Sequence, residues 1–254
     1  MHFREGAHLF ERPHHQRIAR VLEAIDSSIL DDNGCMFGGG TAIALAFGEY
    51  RESVDIDFLV SDLGGYRRLR SLVTGAVGLR GLVRPGFILE QRREVRADQY
   101  GLRTVVAVDG VEIKLEIVLE ARIALSPSPT RMCGVTRLAD VDLVASKLLA
   151  NADRYNDDSV FSRDIIDLAM MRPKAVVRDA GREKAQRAYG DAIDRDLLAA
   201  IERLHVRPGR LLQCMQALAM TTTLPSASPL TPAQLWSRIR ALPRGGAAPT
   251  KGSA

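Results

Sequence analysis

The chain is short of several things, and each shortage argues against a class of protein. Three cysteines occur in 254 residues, Cys35, Cys133 and Cys214. None lies in a C-x-x-C pair, so buried free thiols are expected rather than a disulfide scaffold or a thiolate metal site. No run of about 18 apolar residues is present, so no transmembrane helix and no membrane association are expected. The opening MHFREGAHLF lacks the basic-then-apolar order of a secretion signal, which makes a cytoplasmic location the expectation. Internal repeats are also lacking. The single tryptophan, Trp236, and the pair His14-His15 read as core and surface residues rather than as site residues.

What remains is ordinary in amount and uneven in placement. Hydrophobic residues make up 46% and charged residues 26%, the mix of a soluble globular chain. The length suits one large domain or two small ones. Net charge is +4, but from Arg172 onward there are 14 Lys and Arg against 6 Asp and Glu. That part carries +8 and the preceding 171 residues carry −4. An acidic front and a basic back suit an enzyme that holds metal in one part and a polyanion near the other.

Periodicity gives the organisation. Ile18, Val21, Leu22, Ile25 and Ile29 recur at helical spacing, predicting a helix over about 14–30 that stops at Asn33-Gly34. Cys35-Met36-Phe37 reads as a short buried strand running into Gly38-Gly39-Gly40, with a small-residue helix from Thr41 to Phe47. The next strand is expected over 54–60, with Val54, Ile56 and Phe58 on one face and Asp55 and Asp57 on the other. A helix is expected over 64–80 and weaker strand over 86–98. Strands at 102–108 and 111–118 flank the hairpin turn Asp109-Gly110. Beyond Pro127 and Pro129 the pattern reads as helical, over about 138–153, 160–171, 179–204 and 208–220. Thr231-Pro232 then marks the start of a last helix. The expected fold class is α/β: a mixed sheet with flanking helices in residues 1–130, then a helical part at 131–243. Leu224 to Pro229 reads as a linker and 244–254 as a disordered tail.

Chemistry concentrates around the triple glycine. Two carboxylates at i and i+2 of a strand share a face and can share divalent cations. Gly39-Gly40 allows close backbone approach to an anion, at the N-terminus of a helix that favours one. Glu116 offers a third carboxylate if its strand lies beside 54–60. Metal, backbone N–H groups and a cation for departing pyrophosphate are what nucleotidyl transfer from a triphosphate requires.

The stretch Gly39-Gly40-Thr41-Ala42-Ile43-Ala44-Leu45, followed by Arg51-Glu52-Ser53-Val54-Asp55-Ile56-Asp57-Phe58, resembles the signature of the AbiEii/AbiGii toxin family, within the DNA polymerase β-like nucleotidyltransferase superfamily. Lys114-Leu115-Glu116 is similar to its K-x-acid motif. Ser146-Lys147-Leu148-Leu149-Ala150 with Arg154 is similar to its helical lysine motif, and Arg163-Asp164-Ile165-Ile166-Asp167-Leu168 to its final acidic motif. The resemblance spans roughly residues 34–170. It implies a polymerase β-like nucleotidyltransferase fold with Asp55 and Asp57 as catalytic ligands of Mg²⁺ or Mn²⁺ and Glu116 as a further ligand. It implies nucleotide contacts from Gly39, Gly40, Thr41, Ser53, Lys114 and Lys147, with Asp164 orienting Lys147 or acting on the acceptor. One departure is Leu143, where the family often has Gln four residues before the lysine. The resemblance further implies an NTP substrate, an RNA acceptor such as tRNA, and a cognate antitoxin. The residues themselves leave the acceptor open: a protein or an aminoglycoside-like molecule would use the same site, and a silent binding module could share the fold.

Overall fold

The computed structural model describes residues 9–220 and 230–243; the expected linker at Leu224 to Pro229 and the expected tail at 244–254 lie outside them. Helix α1 (Pro13–Ala24) starts with proline at its first position, where a missing N–H costs nothing. The expected single helix to residue 30 is broken at Ile25, which adopts extended backbone and bridges to Val83. Asp26 then caps a short α2 (Ser27–Asp32) by accepting from the Ser28 amide. The local break wins over continuous helical periodicity because an Asp side chain competes for backbone donors.

The sheet has seven strands: β1 (Cys35–Gly38), β2 (Ile56–Val60), β3 (Glu90–Ala97), β4 (Gly101–Val108), β5 (Val111–Leu119), β6 (Pro127–Met132) and β7 (Val135–Leu138). Their order is β3-β4-β5-β2-β1-β7-β6. β1 runs antiparallel to β2, β2 parallel to β5, and β1 parallel to β7. The β4–β5 hairpin turns at Asp109-Gly110 as expected. Both residues have positive φ, 51° and 76°, as a two-residue hairpin turn demands.

The sequence reading missed β6 and β7. The pattern beyond Pro127 and Pro129 reads as helical with a first helix from about 138, whereas the sheet continues to Leu138. Pro127 and Pro129 sit on edge strand β6, where a missing donor is tolerated, and the four residues of β7 are too few to show a period. The expected strand at 54–60 also begins late. Val54 is half exposed and pairing starts at Ile56, so Val54 is not part of the buried face.

One face of the sheet, through Phe37, Ile56, Phe58, Val60 and Leu115, packs on α1, α2 and α4 (Leu63–Thr74). The opposite face, through Met36, Leu59 and Leu138, packs on α5 (Asp140–Arg154) and α6 (Arg163–Met171). Successive strand residues point to opposite faces, so Asp57, two before Leu59, points toward α5 and α6. The rest of the helical part is α7 (Ala175–Tyr189), α8 (Ala192–His205), α9 (Arg210–Ala217) and α10 (Pro232–Arg240). The single helix expected over 179–204 is divided at Gly190, whose φ is 58°. α10 begins with a full capping box between Thr231 and Gln234, worth about 1 kcal/mol. Trp236 packs partly buried against the core and stacks on His205 at 5.5 Å. Cys35 and Cys214 are buried free thiols and Cys133 is partly exposed.

Candidate active site

β1 delivers the chain to the triple glycine, which opens α3 (Gly39–Ala46). Gly39 has φ 68°, and a Cβ there would collide with the Asp57 carboxylate. At Gly40 a Cβ would meet the Arg51 guanidinium. Glycine is therefore required at 39 by both φ and close approach, whereas at 40 a side chain would have to push the Arg51 guanidinium away from Asp167.

Asp57 on β2 stands in register with Glu116 on β5, so the acidic side chains of two parallel neighbours project side by side. Asp55 lies two residues earlier, just before β2 begins. The Asp57 carboxyl is pushed above the usual carboxylate range, first by burial, then by Glu116 and Asp55. Glu116 is held by Lys114 at 2.7 Å and by Arg103 at 3.2 Å. Among the described residues no three His, Cys, Asp or Glu side chains form a ready-made metal cage. The donor set nevertheless fits Mg²⁺, which binds through one or two carboxylates and takes its other oxygens from phosphate and water. Carboxylates crowded in this way gain from a cation.

Opposite this acidic edge stands a cationic wall. Lys147 of α5 donates to Asp164 at 2.9 Å and pairs with Asp167 at 2.6 Å. Arg154 makes a two-point contact with Asp164, at 2.7 and 2.8 Å. Arg51 does the same with Asp167, at 2.7 and 3.1 Å, and Tyr50 Oη donates to Asp167 at 2.6 Å. Burial by itself would raise both aspartates, but the surrounding cations outweigh it. Lys147 and Arg154 hold Asp164 well below the usual range, and Arg51 with Lys147 lowers Asp167. Three cations meet two carboxylates, which leaves the wall with one surplus positive charge.

Between acidic edge and cationic wall lies a cleft of about 590 Å³. It gathers Gly39, Gly40, Thr41, Ser53, Asp55, Asp57, Lys114, Glu116 and Lys147. Every expected site residue except Asp164 lines it, and Asp164 sits behind Lys147 as its partner. Thr41 Oγ1 donates to the Asp55 carbonyl at 2.5 Å and contacts Ser53 Oγ at 2.7 Å. Leu143 is buried in the core that backs α5. The departure from the family pattern thus falls on a packing position.

Several site residues escaped the sequence reading. Arg51 is a buried partner of Asp167, while Glu49 pairs with His15. Asp167 was detectable, since Asp164 and Asp167 are three apart on one helix and must share a face. Leu218 and Ala219, after α9, also line the cleft, and the Leu218 carbonyl accepts from the Glu52 amide at 3.1 Å. No local motif could reveal that long-range contact. The clusters Arg67-Arg68-Arg70 and Arg92-Arg93-Arg96 are solvent-exposed and stand outside the cleft.

The family model of the nucleotidyl transferase AbiEii toxin, type IV toxin–antitoxin system, matches residues 20–237. The chain belongs to that family. This AbiEii-family chain is accordingly a nucleotidyltransferase with a mixed seven-stranded sheet and flanking helices. No curated protein matches it. Two solved structures are similar at low identity. A provisionally assigned nucleotidyltransferase from H. pylori is 17% identical with a TM-score of 0.43, covering 90% of this chain and 93% of its own. JHP933 from Helicobacter pylori is 16% identical with a TM-score of 0.44, covering 90% of each chain. Among the described residues of this AbiEii-family chain no helix is long and apolar enough to cross a membrane.

Proposed function

We propose that this chain transfers a nucleotidyl group from an NTP to an RNA acceptor of the tRNA class, with Mg²⁺ as the resident cation, as the toxin partner of an antitoxin. The observation that carries the reading is the facing of Asp55, Asp57 and Glu116 with Lys147 across one cleft floored by Gly39-Gly40. Asp55 and Asp57 would hold the divalent cation, with phosphate oxygens completing its shell. When bound, the cation neutralises phosphate charge and favours the attacking oxygen. Backbone N–H groups at the start of α3 face the phosphates, where a helix N-terminus favours an anion. Lys147, fixed by Asp164 and Asp167, presents positive charge to the departing pyrophosphate. The acceptor hydroxyl oxygen bonds to the α-phosphorus, the α–β phosphoanhydride bond breaks, and pyrophosphate leaves as the hydroxyl proton is lost to the medium.

Charge placement supports the RNA reading. Arg154 and Arg163 line the cleft and bracket the loop bearing Asp158, which is clasped by Arg203, Arg207 and Arg210. Three arginines on one carboxylate leave excess positive charge at the loop between these two cleft arginines, suited to a phosphate backbone.

The test is transfer of labelled NTP to purified tRNA and, separately, to lysate protein, with Mg²⁺ and with EDTA. Label should enter tRNA only with Mg²⁺, and Asp57→Asn should lower the rate on the order of a hundredfold or more. Label on protein alone, or full activity in Asp57→Asn, would overturn the reading.

A further inference from the structure

We infer that His15 is a positioning residue of the transfer reaction: it anchors the backbone of the Ser53–Asp55 segment and through it the Asp55 carboxylate. The inference rests on the proposed role of Asp55 in holding the cation. His15 is wholly buried on α1 and does not line the cleft. Its Nδ1 lies 2.8 Å from Glu49 Oε1, and its Nε2 lies 3.1 Å from the Ser53 backbone nitrogen.

A backbone amide can only donate, so Nε2 must be the bare nitrogen and accept from Ser53. Nδ1 then carries the proton and donates to Glu49. Only the neutral ring with its proton on Nδ1 satisfies both contacts. Burial pushes the imidazole below its usual value, outweighing the opposing pull of Glu49, in keeping with the neutral form. Glu49 is itself fixed, accepting from the amides of Glu11 at 2.7 Å and Arg12 at 3.0 Å. Arg12 Nε donates to the Glu49 carbonyl at 2.9 Å.

The chain continues on the other side of Ser53. Thr41 spends its one hydroxyl proton on the Asp55 carbonyl, so Ser53 Oγ must donate to Thr41 Oγ1. His14, the preceding residue, places Nε2 3.1 Å from the Val54 carbonyl. Two consecutive histidines thus grip two consecutive residues just ahead of Asp55. The grip matters because sheet pairing begins only at Ile56. No ladder bond holds residues 53–55, and the α1 and α3 side chains do that work in its place. A filler of core space would not need both ring nitrogens engaged in one direction.

The test compares full-length wild type, His15→Leu, His15→Gln and His14→Ala. Its readouts are turnover and KM for NTP, amide exchange over residues 50–56, and the urea midpoint. Glutamine keeps one donor and one acceptor and should stay within about threefold of wild type. His15→Leu should raise exchange over 50–56 and cut turnover about 10- to 100-fold with KM little changed, since small misplacement of a catalytic group is that costly. His14→Ala, at a partly exposed position, keeps the test decisive if His15→Leu does not fold; it should cut turnover a few-fold at an unchanged urea midpoint. Wild-type turnover in His15→Leu, or in His14→Ala where His15→Leu does not fold, or equal damage from His15→Gln and His15→Leu, would overturn the inference. If wild type transferred no nucleotide, the functional reading would fall instead, and unchanged exchange in His15→Leu would sink the anchor on its own evidence.

Discussion

The two walls of the cleft are built on opposite electrostatic terms. On the sheet side Asp55, Asp57 and Glu116 crowd together, and Asp57 is raised by burial and by its acidic neighbours. On the helix side Asp164 and Asp167 are more deeply buried, yet saturated by Arg51, Lys147 and Arg154. The first wall is destabilised until a cation arrives, and the second is complete before anything binds. Removing a carboxylate should therefore have opposite consequences for stability on the two sides, although either removal harms the reaction.

The sharpest way to break that contrast is Asp167→Ala. It strands Arg51 in the interior, takes one of two carboxylates from Lys147 and removes the acceptor of Tyr50 Oη. Loss of one partner from a buried ion cluster costs about 3–5 kcal/mol, and the urea unfolding curve should show a loss of that size. Asp57→Asn, measured in EDTA, should instead hold or slightly raise the midpoint, because a crowded charge has gone. Equal destabilisation by both would show that the walls do not differ.

A smaller effect follows from pH. Asp164 and Asp167 have carboxyls lowered by folding, so the folded state binds fewer protons than the unfolded state near the ordinary aspartate value of about 3.9. Their contribution is present above that value and is lost as pH falls through it toward the lower folded values. The urea midpoint of wild type should drop between about pH 5 and pH 3, and Asp164→Asn should flatten that drop. A midpoint rising with acidification would contradict the assignment of these charges.

Much of the acidic wall was legible in the sequence, because a strand's period of two forces Asp57 and Glu116 onto predictable faces once their strands are neighbours. Lys147 and Asp164 were legible through the family motif. The rest was hidden for physical reasons. β6 and β7 are too short and proline-rich to carry a period, and Ile25 interrupts a helix whose apolar spacing continues past it. His15, Glu49 and Leu218 reach the site from α1, from the turn after α3 and from beyond α9. Such long-range hydrogen bonds leave no mark on local patterning. Val54 misled because strict alternation begins two residues ahead of the sheet.

The smallest prediction probes where the two walls touch. Glu116 belongs to the acidic wall by position, in register with Asp57, yet Lys114 and Arg103 already neutralise it. To bind the cation it would have to release them, whereas Asp57 has no cation within ion-pair distance among the described residues. Glu116→Gln should therefore slow transfer by only about tenfold, a loss near 1.4 kcal/mol, and leave the Mg²⁺ concentration for half-maximal rate nearly unchanged. Asp57→Asn should raise that concentration sharply in whatever activity survives. If Glu116→Gln shifted the Mg²⁺ requirement as far as Asp57→Asn does, all three carboxylates would be working as ligands. The ion pair to Lys114 would then be a resting arrangement that the cation displaces.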